Sequence, residues 1–241
     1  MVLEMKVSVL QTGLVAEPLR NQFDNYGKMF ADLVGDGGGK FTFETVSLIE
    51  DEPLPPLEKT EAIIITGSAL GVYDQKPWME PLREFIRGAY ARSIPMIGVC
   101  FGHQIMADAL GGVVEKSEKG WGLGRHEYKI TQKPSFMGDA PDQMQFNVIH
   151  QDQVLSPPPN SKVVGGSEFT PYAMLEYDNG AAISIQAHPE FANEYATAVY
   201  ELRTGELFDK ATGESAIKSV GEKNDNMLMA EYFRRFLDAA S

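Results

Sequence analysis

The sequence predicts an α/β fold, an open and mostly parallel sheet with helices on both faces and an added antiparallel β section. Three observations predict it. Strand-like and helix-like segments alternate from residue 5 to about residue 110, the pattern of successive βαβ units. The run Ile63-Ile64-Ile65 is apolar on both faces, as a central parallel strand covered by helices on each side must be. After Gly112 the texture changes to short alternating strands with few helices between them, which suits antiparallel pairing.

The first strand spans 5–11 and ends at Thr12-Gly13. Residues 18–34 follow with helical apolar spacing at Leu19, Phe23, Tyr26, Phe30 and Leu33, and the stretch 35–39, rich in glycine, ends that helix. Residues 40–49, with their β-branched and aromatic side chains, form a second strand, and the proline-rich 51–56 connects it to a third at 62–66. Gly67-Ser68-Ala69-Leu70-Gly71 is then a loop at the carboxyl end of that strand, where open α/β sheets place their ligands. The crossover helix runs over 77–92, with Pro77 suited to its first turn and Trp78, Leu82, Phe85, Ile86 and Ala89 as its buried stripe.

Ile94-Pro95-Met96-Ile97-Gly98-Val99 reads as a short buried strand, and residues 105–110 continue with helical spacing until Gly111-Gly112. Cys100 therefore sits on a tight strand-to-helix bend whose crowding accounts for Gly98 and Gly102. This is a nucleophile elbow with sulfur in place of a serine oxygen. The helix beginning at Phe101 points its unpaired N–H groups and positive end at the sulfur, which favours a thiolate and could hold an oxyanion.

Beyond Gly112, alternating strands fall at 113–114, 122–130, 143–150 and 163–164, followed by a hairpin within 173–186 whose turn is Asn179-Gly180. The second arm of that hairpin runs into His188-Pro189-Glu190. Residues 193–203 and 225–237 have helical patterns. One domain over 1–241 is expected, with a core of about 5–191 and a C-terminal helical extension of about 192–241.

With 34 acidic against 21 basic residues, the chain carries a formal charge of -13. That argues against a nucleic-acid groove or an anionic membrane surface and fits a small polar substrate. A single cysteine excludes an internal disulfide and suggests a reducing compartment, so a cytoplasmic location is expected. The amino terminus reads as a strand rather than a signal peptide, and no apolar run reaches the length of a membrane span.

A cysteine nucleophile needs a base in reach and a third group to fix the imidazole tautomer. Four histidines compete. His103 lies on the elbow helix itself and reads as structural. His126 reads as a solvated strand residue, and His150, at a strand end, as a pocket wall. His188 stands out because in an extended backbone Glu190 would lie on the same side and reach its far nitrogen. Glu190, beside a turn, is expected to be partly hydrated.

These residues resemble the class I glutamine amidotransferases, whose Gly-x-Cys-x-Gly-x-Gln elbow stands here as Gly98-Val99-Cys100-Phe101-Gly102-His103-Gln104 and whose His-Pro-Glu is 188–190. The likeness runs from the first strand to about Phe191 and is nearest to the stand-alone members that resemble the amidotransferase domain of GMP synthase and include γ-glutamyl peptidases. It implies a flavodoxin-like arrangement of the parallel strands. It also implies an oxyanion segment in 66–74, where Ser68-Ala69 replaces the second glycine and proline of many members. Gln104, His150 and Gln151 would contact the glutamine moiety.

The expected reaction is hydrolysis of a γ-glutamyl amide through a cysteine thioester, releasing ammonia and glutamate. Cys100 would be the nucleophile, His188 the base, Glu190 its orienter, and amides at Phe101, Gly67 and Ser68 the oxyanion donors. No metal and no organic cofactor are expected. Glutamine or a γ-glutamyl compound is the expected substrate, with a separate synthetase subunit as a candidate partner. Two alternatives stand beside it: a γ-glutamyl peptidase, and a non-catalytic regulatory or binding module. The intact cysteine, histidine and glutamate argue against the second.

Overall fold

The structure, a computed structural model, describes residues 4–35, 37, 39–221 and 223–239. The first half of the chain carries β1 (Met5–Gln11), α1 (Tyr26–Val34), β2 (Phe41–Ser47), β3 (Ala62–Ile65), α2 (Met79–Ala91), β4 (Met96–Val99) and α3 (Phe101–Ala109). The second half carries β5 (Val113–Lys116), β6 (Gly122–Ile130), β7 (Gln143–His150), β8 (Asp152–Ser156), β9 (Ser161–Gly166), β10 (Met174–Tyr177), β11 (Ala182–Ile185), α4 (Asn193–Arg203), α5 (Lys210–Val220) and α6 (Asn226–Ala239).

A nine-stranded sheet has the order β2-β1-β3-β4-β11-β10-β9-β6-β7. Pairing is parallel from β2 through β11 and antiparallel from there to β7. The five parallel strands thus follow the 2-1-3-4-5 order of flavodoxin-like sheets. β4 is central, with Ile97 opposite both Ile64 and Ile183. β5 and β8 pair apart from the main sheet.

Alternation along the strands sorts the core into two layers. Val7, Val9, Ile64 and Ile97 pack with α1 and α6, through Phe30, Val34, Phe233 and Leu237. Ile63, Ile65 and Met96 point the other way, onto α2 and α3. The triple-isoleucine run is thus covered on both faces. A third cluster joins α4 and α5 to Val15, Leu19 and Phe191 at the carboxyl edge of the sheet.

The helix expected over 18–34 is two elements. Pro18 belongs to a 3-10 turn, Glu17–Leu19, and α1 starts only at Tyr26, where the Asn25 side chain accepts a hydrogen bond from the Lys28 amide at 2.8 Å. The Asp24-Asn25 pair favours a cap over continued helix, and the apolar spacing of Leu19 and Phe23 serves the third cluster instead. The helix stops at Val34 as expected, but positions 36 and 38 of its terminator, like the first three residues of the chain, lie outside the described residues. The second strand gives way at Leu48 to a 3-10 turn. Two elements were not foreseen, α5 and β8. The 173–186 hairpin forms around Asn179-Gly180, with Gly180 at φ 70° and the Asn179 side chain accepting from Ala181 N.

Candidate active site

Cys100 links β4 to α3 with φ 53° and ψ -105°, a backbone conformation that L side chains rarely adopt. The bend leaves no room beside it. A Cβ on Gly102 would stand 2.1 Å from the Ile65 carbonyl oxygen, and one on Gly98 2.5 Å from the Met106 sulfur. Gly102 N donates to Thr66 O at 3.0 Å, tying the elbow to the end of β3. The Phe101 amide opens α3, one of the first-turn N–H groups that have no intrahelical partner.

His188 reaches the sulfur from the neighbouring parallel strand, three residues past the end of β11. Its Nδ1 donates to Glu190 Oε1 at 2.7 Å, and the ring also hydrogen-bonds Cys100. Phe191 stacks on the imidazole, with centroids 4.0 Å apart and planes 10° from parallel. Burial disfavours a charged ring here, but the Cys100 and Glu190 charges and the hydrogen bonds to both outweigh it, raising the His188 pKa to about 10.

The pairing of His188 with Glu190 differs from expectation in two ways. The backbone is not extended between them: Phe191 N donates to His188 O at 3.2 Å, closing a turn across Pro189, and the turn rather than strand alternation brings the carboxylate back. Nor is Glu190 hydrated. Its side chain is 1% exposed, and its charge is felt at the Tyr195 and Tyr26 hydroxyls.

The 67–74 loop lies across the sulfur. A Cβ on Gly67 would come within 2.9 Å of His188 Cε1 and 3.6 Å of Cys100 Cβ, so only glycine lets the chain pass this close. The Gly67 carbonyl accepts from Thr12 Oγ1 at 3.2 Å and from Thr66 Oγ1 at 3.1 Å. In a trans peptide the N–H points opposite to the C=O, so the Ser68 amide is directed away from these hydroxyls. Cys100, Gly67, Ser68, Gln104, His150, Gln151 and His188 all line one cavity of about 660 Å³.

That constellation matches a known family. Residues 24–201 fit the family model described as Glutamine amidotransferase class-I. The chain belongs to this family. A glutamine amidotransferase-like protein of Schizosaccharomyces pombe is 26% identical, covering 98% of this chain and 99% of its own length. Gamma-glutamyl peptidase 2 of Arabidopsis thaliana is 28% identical over 74% of this chain and 73% of its own. The glutamine-hydrolyzing GMP synthase of Thermus thermophilus is 31% identical over 70% of this chain but only 33% of its own length. Among solved structures, a Thermotoga maritima glutamine amidotransferase superposes with a TM-score of 0.78 over 98% of both chains at 20% identity, which shows the shared fold.

In this chain the remaining histidines take different environments. His103 is fully buried, bonded through Nδ1 to Ser184 Oγ at 2.8 Å, and burial drives its pKa down to about 3. His150 is also buried and neutral: burial first, then the charge of His126, lowers its pKa to about 3, while Nδ1 donates to Asp152 O at 3.1 Å. His126 corrects the expectation of a solvated strand residue, being half-buried edge-on to Phe169 at 5.3 Å, with its pKa lowered by burial.

Three site residues escaped the sequence reading. Gln186, wholly buried, donates from Nε2 to Cys100 Sγ at 3.7 Å while its Oε1 accepts from Gln104 Nε2 at 3.2 Å. The Thr12 hydroxyl lies within hydrogen-bond reach of the Thr66 carbonyl at 2.9 Å and the Gly67 carbonyl at 3.2 Å. Asp152, half-buried on the cavity wall, accepts from the Tyr73 hydroxyl at 3.0 Å, and burial raises its pKa. Gln186 stands two residues before the histidine and Thr12 directly after the first strand, positions where a side chain is aimed by the sheet. Among the described residues no group of three or more His, Cys, Asp or Glu could hold a metal ion, and no helix is long and apolar enough to cross a membrane.

Proposed function

We propose that the protein hydrolyses a γ-glutamyl amide through a thioester on Cys100. The observation that carries this reading is the Cys100–His188–Glu190 line: a sulfur on a strained elbow, an imidazole bonded to it, and a buried carboxylate behind the ring. A ring pushed up to about pKa 10 is charged at neutral pH, which holds a proton ready for the leaving nitrogen. The sulfur attacks the carboxamide carbon, and the carbonyl oxygen takes the negative charge beside the amides of Phe101 and Ser68, while the Gly67 backbone gives the closest approach. His188 gives its proton to the departing nitrogen, the C–N bond breaks, and a γ-glutamyl thioester remains. Water then adds to the acyl carbon with His188 taking its proton, releasing glutamate and the thiol.

Gln104, His150 and Gln151 form the wall against which the glutamyl portion would lie. Gln104 donates to Asp152 O at 2.9 Å, so its amide is held in one orientation. With ammonia as the product, a separate synthetase subunit would be the partner that consumes it. A reactive lone thiol suits a reducing compartment such as the cytoplasm. The test is a side-by-side assay of glutamine, glutathione and γ-glutamyl dipeptides, following ammonia, amine and glutamate. Mass spectrometry should trap a glutamyl adduct on Cys100. A folded protein that turns over none of these and forms no adduct would leave only the non-catalytic reading.

A further inference from the structure

The reaction at Cys100 uses one end of the cavity. At about 660 Å³ the whole is the size of sites that take drug-sized ligands, far larger than a carboxamide needs. The unused wall is one face of α4, where Tyr195, Val199 and Arg203, spaced i, i+4, i+8, all line the cavity. The stripe starts at the base: Tyr195 packs on Phe191 at 4.6 Å, and Phe191 stacks on His188. Arg203 lies two turns on, about 12 Å along the axis, and its charge is felt at the Tyr195 hydroxyl. Trp121 and Leu207 complete an apolar wall around it.

Arg203 is only half committed. Nη1 donates to both oxygens of Glu206, at 3.0 and 2.9 Å, and among the described residues nothing bonds Nε or Nη2. In a chain of net charge -13, a guanidinium with a free edge, set beside apolar surface in a reactive cavity, is suited to a carboxylate of a bound molecule.

We propose that this face of α4, with Trp121, is a leaving-group subsite, and that the substrate is a γ-glutamyl peptide whose amine portion carries an apolar side chain and ends in a free carboxylate read by Arg203. The proposal rests on the thioester reading above and adds the identity of the amine. The sulfur adds to the γ-carbonyl carbon, the oxyanion collapses with breakage of the scissile C–N bond as the peptide nitrogen takes the His188 proton, and water later releases glutamate from the thioester.

The experiment compares γ-glutamyl-phenylalanyl-glycine, the same peptide with a C-terminal amide, and glutamine, on the wild type, Arg203→Gln and Arg203→Lys. The wild type should favour the free acid over the amide by roughly tenfold or more in kcat/KM, the range of a hydrogen bond to a charged group. Arg203→Gln should abolish that preference through KM, and Arg203→Lys should restore part of it; unfolding midpoints within a few degrees of wild type confirm folded variants. Equal turnover of acid and amide by the wild type, a preference untouched in Arg203→Gln, or better turnover of glutamine than of either peptide would overturn the subsite and leave the thioester reading standing. No turnover and no Cys100 adduct with any of the three would overturn both.

Discussion

His103 and His188 are equally buried, yet their pKa values move in opposite directions, to about 3 and about 10. Both lie next to β4, one beneath it on α3 and one beyond β11. His103 faces a serine hydroxyl, and burial outweighs a hydrogen bond with the Tyr172 backbone, so the ring stays neutral. His188 faces a thiol and a carboxylate, and the charges overcome the same burial. Dominant desolvation leaves a neutral ring, and opposite charges on both ring edges hold a proton on it.

The comparison breaks most completely at the sulfur. Cys100→Ala and His188→Ala should each lower turnover on the order of a million-fold, the scale seen when either member of a nucleophile–base pair is lost, with far-UV circular dichroism unchanged. Cys100 is the largest of the charges that raise the His188 pKa. In Cys100→Ala the His188 titration followed by NMR should therefore shift down toward that of His103. Its alkaline signature changes too. A ring raised above its unfolded 6.5 stabilises the fold fully below pH 6.5 and loses that contribution as pH rises through about 10. The variant should show less of this alkaline loss in denaturant melts.

Glu190→Gln should cost less, up to about ten-thousand-fold, since the orienter acts through the imidazole. Had the carboxylate been hydrated, a much smaller loss would follow; its burial puts the expectation at the upper end, with the pH–rate profile displaced. A residual rate within tenfold of wild type would show that the charge on this side of the ring is dispensable. Thr12→Val should lower kcat about tenfold with KM little changed, less than the hundred-fold or more of losing an oxyanion donor outright, because it only loosens a Gly67 carbonyl that Thr66 Oγ1 still holds. Thr12→Ser, which keeps the hydroxyl, should recover the rate.

The smallest effect on activity belongs to His103→Gln, within threefold of wild type. Its readout is stability. The unfolded ring takes a proton near pH 6.5 and the folded ring only near 3, so the wild type loses stability as pH falls through that window, where the unfolded state binds more protons. The variant's stability should fall less steeply between pH 6.5 and 3. Equal slopes would mean that His103 is charged in the folded state.

The parallel half of the sheet and the elbow were legible because their physics is local: an apolar run covered on both faces, then a cysteine crowded by Gly98 and Gly102. That Glu190 would reach the His188 ring was legible from their spacing, though a turn and not an extended strand brings them together. What escaped depends on distant contacts. α5 holds Gly213 and has no long apolar stripe, but Gly213 lets Thr204 come close, with a Cβ there only 2.0 Å from its hydroxyl. The hydration of Glu190 was misjudged because its 1% exposure is set by tertiary packing that the His-Pro-Glu tripeptide does not encode. Gln186 looked like another strand residue until its amide met a sulfur 86 positions away.

That separation has a consequence for how the chain acquires its reactivity. The thiol stands directly after β4, but the imidazole that bonds it arrives only when β11 docks beside that strand, Ala182 against Met96 through Ile185 against Val99. During synthesis from the amino terminus, the ribosome must add the whole intervening antiparallel section before the imidazole exists at all. Long-range strand pairing of this kind is intrinsically slow. The nascent chain therefore passes through a stage in which β1 to β4 can form with Cys100 lacking its imidazole partner, and the Cys100–His188 contact is completed late, as the last strand of the sheet closes.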